Sequence, residues 1–343
     1  MKQVGITGAP YSGKTTFFNA LTSAGATSGG GKANVAVVPV PDPRVDTLTE
    51  LHRSKKSVYS QLKFVDVAGL AKGAGLSAQI LGALREVDAL AIVVRAYGGD
   101  ADPASELAEV TLELALADLE TLSGAAERAR KKGRTGDKAA RAEAELLDRA
   151  TALLEAGEPL RSGSWEPAEL TVFRNYAPLT LKPAMVVLNT DDESAAESAG
   201  AAATLAGSLG GEGLAVPARL EAEVGGMAPG EAAELLAEFG VTAGALPSVI
   251  AAAYRMLGLL TFLTTGEDES RAWEIRRGAT APEAAGTIHS DLQRGFIRAE
   301  VVSYDDLIAA GSWDGARSAG RLRIEGKDYL VAEGDVMNIR FAV

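Results

Sequence analysis

The residues best suited to chemistry form a glycine-rich turn near the start of the chain. Residues 8–15 read Gly-Ala-Pro-Tyr-Ser-Gly-Lys-Thr and match the pattern G-x-x-x-x-G-K-[ST] in full. In such a turn backbone amides surround a phosphate, Lys14 pairs with the β and γ phosphates, and the Thr15 hydroxyl binds Mg²⁺. A strand-like run precedes the turn, and a helical run follows it with its positive dipole end towards the same anion. The predicted phosphate-contacting residues are Gly8, Ala9, Pro10, Tyr11, Ser12, Gly13, Lys14, Thr15 and Thr16.

A second motif follows the next buried strand pattern, residues 62–65. It reads Asp66-Val67-Ala68-Gly69, the D-x-x-G arrangement of nucleotide switches, in which the aspartate holds Mg²⁺ and the glycine N–H contacts the γ-phosphate. Leu70 comes next, where many GTPases have a glutamine that orients the attacking water. A leucine cannot orient water, so hydrolysis must use another group, be slow, or wait for a partner. Lys14, Asp66, Gly69 and Leu70 are the predicted catalytic positions.

The base-binding candidates lie at the end of a later strand. Residues 89–94 and 184–188 are uninterrupted apolar runs, typical of buried parallel strands, and the second leads into Asn189-Thr190-Asp191-Asp192. Guanine switches have N-K-x-D here, so Asp192 could accept from guanine, although Thr190 replaces the lysine. Adenine would have to be turned or shifted, because a carboxylate repels its N1. An acidic loop that caps the next helix is the alternative interpretation. Ala218, just after a short strand, would place its backbone near the base.

Length and composition limit the remaining possibilities. The chain has 343 residues, which predicts two or three domains, and 47% of them are apolar, as in ordinary folded proteins. It has no cysteine and two histidines, which argues against disulfides and conventional zinc sites. The net charge of −12 opposes broad binding to nucleic acid. Because neither a signal sequence nor a membrane span is visible, we expect a cytoplasmic protein without membrane contact.

A long helical segment contains a local basic cluster. Leu107, Val110 and Leu114, and likewise Leu112, Leu116 and Leu119, recur at helical spacings, and leucines at 146–154 repeat the pattern. The two helices are expected to pair as an antiparallel hairpin. Between them, one aspartate accompanies seven basic residues, which predict contact with RNA backbone phosphates, a solvated helix turn being the alternative. The seven are Arg128, Arg130, Lys131, Lys132, Arg134, Lys138 and Arg141.

Several stretches together indicate a family. They are residues 37–44, 64–74, 112–120, 271–273, 278–282, 295–300 and 325–329. In this order they resemble the Obg-like ATPases, the YchF group of translation-factor-related P-loop NTPases, over almost the whole chain. The resemblance implies an α/β protein with three parts. These are a Ras-like P-loop NTPase domain in residues 1–103 and 170–262, an inserted coiled-coil arm in residues 104–169, and a ubiquitin-like β-grasp (TGS) domain in residues 263–343.

The resemblance also implies a function. The family prefers ATP to GTP, associates with ribosomes, and has a hydrophobic residue at the switch position that Leu70 occupies here. Its base motif is N-x-x-E, which Asn189 and Asp192 match with a carboxylate shorter by one methylene. We therefore expect a Mg²⁺-dependent switch that binds and slowly hydrolyses ATP. Its basic arm and its TGS domain are expected to contact the ribosome or another RNA-rich assembly. A GTPase of the same fold and a nucleotide-binding adaptor without hydrolysis are the alternatives, and the oligomeric state stays open.

Three departures from the family pattern are visible, and the two in the switches, together with Leu70, motivate the adaptor alternative. Tyr11 replaces an asparagine in the phosphate loop, which puts a monovalent-cation site built on that amide in doubt. The first switch reads Gly-Gly-Gly-Lys over residues 29–32, without a threonine at the matching position. The second switch is shortened around residues 73–76. Both switches are therefore altered in the same chain.

Overall fold

A computed structural model describes residues 1–23, 27–29, 34–67, 76–192, 194, 197–239 and 244–342. The strands are Gln3–Gly8 (β1), Thr27–Gly29 (β2), Asn34–Pro39 (β3), Ser57–Val58 (β4), Gln61–Asp66 (β5), Ala89–Ala96 (β6), Ala184–Thr190 (β7), Gly213–Val216 (β8), Leu259–Thr265 (β9), Ser270–Arg276 (β10), Phe296–Ser303 (β11), Arg323–Glu325 (β12) and Asp335–Phe341 (β13). The α-helices are Lys14–Ser23 (α1), Pro43–His52 (α2), Ala78–Glu86 (α3), Pro103–Gly133 (α4), Lys138–Glu155 (α5), Pro167–Phe173 (α6), Ala199–Gly207 (α7), Ala218–Val224 (α8), Pro229–Glu238 (α9), Ala245–Met256 (α10), Ala281–Ile288 (α11), Ser290–Arg294 (α12), Tyr304–Ala310 (α13) and Trp313–Ser318 (α14). A 3₁₀ turn spans Leu160–Ser162.

The chain divides into two compact units. The first contains Met1–Val38 and Lys63–Met256, and the second contains Pro39–Leu62 and Leu257–Val343. This division differs from the expected boundaries, because residues 39–62 and 257–262 belong to the second unit. Residues 257–262 belong to the second unit because β9, which begins at Leu259, is one continuous strand of the C-terminal sheet.

The sheet of the first unit brings the predicted site motifs to one edge. Its strand order is β2-β3-β5-β1-β6-β7-β8, and the strands from β5 to β8 run parallel. All seven residues of β7 are buried, as expected of a strand covered on both faces. Ile6 of β1 pairs in register with Asp66 of β5. Because parallel strands share the direction of their carboxyl ends, the phosphate loop, Asp66 and Asn189 lie at the same edge of the sheet.

The arm is the expected antiparallel helical hairpin. Asp102 and Asp137 cap the two helices by accepting hydrogen bonds from Ser105 N and Ala140 N. Buried positions follow a single stripe along α4, namely Leu107, Val110, Leu114, Asp118, Leu122, Ala125, Ala126, Ala129 and Gly133. The expectation that Leu112 and Leu116 also pack was wrong, because they lie outside this stripe and are 58% and 50% exposed. No described helix has the combined length and apolarity of a membrane span.

The second unit has the β-grasp arrangement. Strands β10-β9-β13-β11-β12 are neighbours in this order, with β13 parallel to β9 and the other pairs antiparallel. Helix α11 covers one face of the sheet, where Phe262 and Met337 meet its alanines. The mixed α/β fold class with a C-terminal β-grasp domain is thereby confirmed.

Residues 39–62 complete this second unit. β4 adds to the sheet beside β10, with Ser57 paired in register with Ser270. Helix α2 packs Val45 and Leu48 against Leu263 and Val336, on the face opposite α11. This segment therefore supplies both an additional strand and a covering helix to the β-grasp sheet.

An ion-pair chain fastens α2 to the same unit. Asp42 caps the helix and accepts from Arg44 Nε and Nη2 at 2.8 and 2.7 Å. Arg44 also donates to Glu333 at 2.7 Å, and Glu333 accepts from the Thr261 backbone N–H at 2.9 Å. These charge-assisted hydrogen bonds raise the pKa of Arg44 well above its usual range. Asp42 and Arg44 thus attach α2 to the β-grasp sheet.

Candidate functional site

The phosphate loop runs from the end of β1 to the start of α1. Gly8 and Gly13 have positive φ angles of 154° and 88°. A Cβ atom on Gly8 would lie 2.2 Å from the Val93 carbonyl oxygen, and one on Gly13 would lie 2.0 Å from Asn189 Nδ2. Only glycine fits either position without displacing its neighbours. Tyr11, between them, has φ 64° and a side chain that is 89% exposed.

The Lys14 side chain folds back onto the backbone of the phosphate loop. Its side chain is 8% exposed, and Nζ donates to the Ala9 carbonyl oxygen at 2.6 Å. Burial lowers the pKa of Lys14, while the nearby carboxylates of Asp66 and Glu106 raise it. The ammonium group is therefore held at the mouth of the loop, between backbone oxygen and two anionic groups, where a phosphate could replace the carbonyl.

The predicted magnesium ligands are hard oxygen donors. Thr15 is exposed at the first turn of α1, and Asp66 is the last residue of β5. Burial raises the pKa of Asp66, whereas a hydrogen bond with Asn34 and the charge of Lys14 lower it. A hydroxyl and a carboxylate of this kind fit Mg²⁺, which takes oxygen ligands and keeps several waters. No three described His, Asp or Glu side chains form a metal cluster of their own, so phosphate oxygens and water would complete the coordination. Gly69 and Leu70 lie outside the described residues.

Asn189 joins the phosphate loop to the base-binding side. Its Nδ2 donates to the Ser12 carbonyl oxygen at 3.0 Å, and its Oδ1 accepts from the Ala218 backbone N–H at 3.3 Å. The side chain is only 5% exposed. Three residues predicted separately from the sequence, Ser12, Asn189 and Ala218, are therefore in direct contact.

A cavity of about 300 Å³ opens beside Asn189. It is lined by Gly13, Thr16, Tyr97, Asn189, Thr190, Asp191, Asp192 and Arg219. Its size is at the lower end of the range for small-molecule sites. Asp192 therefore lies in the wall of this cavity.

Tyr97 and Arg219 of the cavity lie outside the motifs identified in the sequence. Tyr97 follows β6, and its hydroxyl donates to the Tyr11 carbonyl oxygen. Arg219 Nη2 donates to Asp192 Oδ2 at 2.5 Å, and this hydrogen bond raises the pKa of Arg219. The position of Tyr97 just after a strand that neighbours β1 could have indicated its place. Arg219 directly follows Ala218, which is the signal that could have identified it.

Two buried hydroxyls at the site are without a partner among the described residues. They are Ser12 Oγ in the phosphate loop and Thr190 Oγ1 at the end of β7. Buried polar groups normally have hydrogen-bond partners. Such orphaned hydroxyls next to the loop and the cavity fit a site that a polar ligand completes.

The basic residues of the arm divide into paired and unpaired groups. Arg130 pairs with Asp148, Lys132 with Asp137 at 3.1 Å, and Arg141 Nε donates to the Gly133 carbonyl oxygen at 2.9 Å. Within the described part of the chain, the remaining four form no ion pair and are exposed. These four are Arg128, Lys131, Arg134 and Lys138.

Family models match both ends of the chain. The model described as 50S ribosome-binding GTPase matches residues 3–123. The model of the YchF-type GTPase C-terminal domain, described as a protein of unknown function, matches residues 259–342.

Curated relatives match over nearly the entire length. The ribosome-binding ATPase YchF of Haemophilus ducreyi is 40% identical over 358 residues, and that of Bacillus subtilis is 39% identical over 361 residues, with 99% of each chain covered. Obg-like ATPase 1 of Oryza sativa is 34% identical and covers 99% of this chain and 92% of its own. The solved structure of the Schizosaccharomyces pombe YchF GTPase superposes with a TM-score of 0.89 at 29% identity, covering 99% of this chain and 97% of its own. The chain is thus a P-loop NTPase and belongs to the YchF family of Obg-like ATPases.

Proposed function

We propose that this protein is a Mg²⁺-dependent ATPase that works as a slow nucleotide switch on the ribosome, in the cytoplasm. The observation that carries the nucleotide part is the contact of Asn189 with both Ser12 and Ala218. This contact holds the phosphate loop and the base cavity together before any ligand arrives. Relatives named ribosome-binding ATPases support the ATPase and ribosome parts of the proposal.

Each predicted residue has a role in this proposal. The backbone of residues 8–16 surrounds the phosphates, and Lys14 exchanges its bond to the Ala9 carbonyl for the β and γ phosphates. Asn189 and Asp192 contact the base, and Ala218 helps to fix Asn189. Thr15 and Asp66 would hold Mg²⁺, which neutralises charge on the phosphates when bound.

The switch residues set the rate in this proposal. The Gly69 N–H contacts the γ-phosphate, and Leu70 occupies the place from which a glutamine would orient water. Because leucine offers no hydrogen bond, turnover by the protein alone is slow. A partner that supplies a polar group could accelerate it.

The arm provides the ribosome contact in this proposal. Arg128, Lys131, Arg134 and Lys138 are exposed and free of ion pairs within the described chain, so they can meet RNA phosphates without first breaking internal contacts. No aromatic side chain lies among them, which favours backbone contact over base stacking. The acidic net charge of the whole chain restricts such binding to this local surface.

Equilibrium titration with fluorescent ATP and GTP analogues in Mg²⁺ tests the nucleotide part. We expect tighter binding of ATP, with loss of binding in Lys14→Ala. Multiple-turnover phosphate release then separates the ATPase from an adaptor, since an adaptor would bind ATP without releasing phosphate. Tighter binding of GTP would replace ATP by GTP in the proposal.

Cosedimentation with purified ribosomes tests the partner. We expect binding by the wild type and loss of binding when Lys131 and Arg134 are both replaced by alanine. Arg149→Ala is the matched control, because Arg149 lies on the same arm and is paired with Glu169 at 2.6 Å. Equal loss in both variants would contradict the role of the arm tip.

A further inference from the structure

We propose that Arg219 determines the adenine preference of the base cavity, by occupying one oxygen of Asp192 and donating a hydrogen bond to adenine N1. The inference rests on the proposed function, namely that this cavity takes the base of a nucleotide. Arg219 lies outside the base motif of residues 189–192, so that motif alone does not identify it as a specificity residue.

The ion pair leaves Asp192 with limited accepting capacity. Asp192 is 9% exposed, and its Oδ2 is held by Arg219 Nη2 at 2.5 Å. No described residue donates to Oδ1. Within the described part of the chain, Oδ1 is therefore the oxygen of Asp192 that is more open to the base.

Guanine and adenine present different hydrogen-bonding groups on their Watson–Crick edges. Guanine presents two adjacent donors, N1–H and the N2 amino group, which engage both oxygens of a carboxylate. Adenine presents one donor, the N6 amino group, beside one acceptor, N1. Asp192 Oδ1 and a donor of Arg219 together match the adenine edge, whereas guanine would have to share Oδ2 with Arg219 and would place its own N–H donors against the guanidinium.

Charge leads to the same conclusion. A lone carboxylate would repel adenine N1, which carries a lone pair. The guanidinium cancels that charge and provides further N–H groups, since Arg219 has five donors and only Nη2 is used on Asp192. An aspartate can therefore replace the longer glutamate of the family motif when an arginine stands beside it.

The arginine is also held in position. Its Nε lies 4.0 Å from Glu223 Oε1, one turn further along α8. The side chain is 75% exposed, so the guanidinium borders the cavity and solvent. The hydrogen bond from Nη2 to Asp192 thus fixes one side of the guanidinium, and its rigid fork favours one direction for the remaining donors.

The test compares ATP, GTP and 1-deaza-ATP on wild type and Arg219→Ala. 1-Deaza-ATP keeps the N6 amino group and replaces N1 by C–H, so it removes only the acceptor that Arg219 would serve. We expect Arg219→Ala to weaken ATP about tenfold to hundredfold, the range for one charge-assisted hydrogen bond. GTP should bind the variant at least as tightly as the wild type, because both oxygens of Asp192 are then free.

The analogue supplies the decisive comparison. 1-Deaza-ATP should bind wild type and Arg219→Ala equally, since the contact is absent in both. If Arg219→Ala loses affinity for ATP and for 1-deaza-ATP to the same extent, the inference is overturned. An unchanged ratio of ATP to GTP affinity would also overturn it. The ATP affinity of Arg219→Lys should lie between those of the wild type and Arg219→Ala, because lysine keeps the positive charge but lacks the forked guanidinium.

Arg255→Ala is the matched control. Arg255 belongs to the same unit, is exposed, and pairs with Glu212 at 2.6 Å, so the variant loses a comparable ion pair outside the cavity. We expect it to bind all three nucleotides like the wild type. If the wild type binds neither ATP nor GTP, the proposed function fails and the inference fails with it. If it binds ATP but Arg219→Ala behaves like Arg255→Ala, only the inference fails.

Discussion

Replacing Asn189 by alanine should destabilise the protein even without nucleotide. The amide side chain satisfies two backbone groups, the Ser12 carbonyl and the Ala218 N–H, at 3.0 and 3.3 Å. In Asn189→Ala both groups lose their partner, and each buried unsatisfied group costs about 1–3 kcal/mol. Because the neighbouring cavity can admit water, we expect the lower half of the summed range, about 2–4 kcal/mol.

Thermal unfolding of nucleotide-free protein measures this loss. For a unit of this size, 1 kcal/mol lowers Tm by roughly 2–4 °C, so the expected shift is roughly 4–16 °C. Asn175→Ala is the control, because Asn175 is an exposed asparagine in the same unit, and we expect a change within about 0.5 kcal/mol. A variant that unfolds like the wild type, yet loses nucleotide binding, would refute the reasoning, since Asn189 would then act only on the base.

Three further predictions concern single features of the chain. Thr190→Val removes a buried hydroxyl that has no partner among the described residues. The free energy of unfolding of the nucleotide-free protein, measured by chemical denaturation, should therefore stay equal or rise by up to about 1 kcal/mol. A lower free energy of unfolding would show that the hydroxyl has a hydrogen-bond partner. Arg44→Ala leaves Asp42 and Glu333 without their ion pair, so we expect a loss of stability of about 1–3 kcal/mol and faster hydrogen exchange in α2. Unchanged exchange would show that the ion-pair chain does not hold α2. Replacing Lys131 and Arg134 together should lower the salt slope of RNA binding by roughly 1–2, and an unchanged slope would exclude phosphate contacts there.

The phosphate loop could be predicted from the sequence because its function constrains the backbone. A turn that aims amides at phosphate needs glycine at Gly8 and Gly13, and the structure has positive φ at both. Asn189 and Ala218 were predicted for a similar reason, since each lies at or just after the carboxyl end of a strand of recognisable pattern. Local geometry at the ends of strands therefore carries most of the site.

The features that the sequence did not predict depend on side chains distant along the chain. Arg219 is 27 residues from Asp192, and nothing in its own neighbourhood shows that its guanidinium reaches that carboxylate. Val45 and Leu48 predict an apolar helix face, but helical periodicity does not say which sheet the face covers. Leu112 and Leu116 have helical spacing as regular as that of the buried stripe, so spacing alone could not tell the packed face of α4 from the exposed one.

The assignment of residues 39–62 to the β-grasp unit affects how the protein can be divided. A truncation after Met256 would remove the sheet against which Val45 and Leu48 pack, and would expose the apolar face of α2. Conversely, an isolated C-terminal fragment from Leu257 would lack its sixth strand and one covering helix. Gene fusions or domain exchanges at that point would therefore join incomplete parts, and a workable exchange must carry the internal segment and the C-terminal segment together.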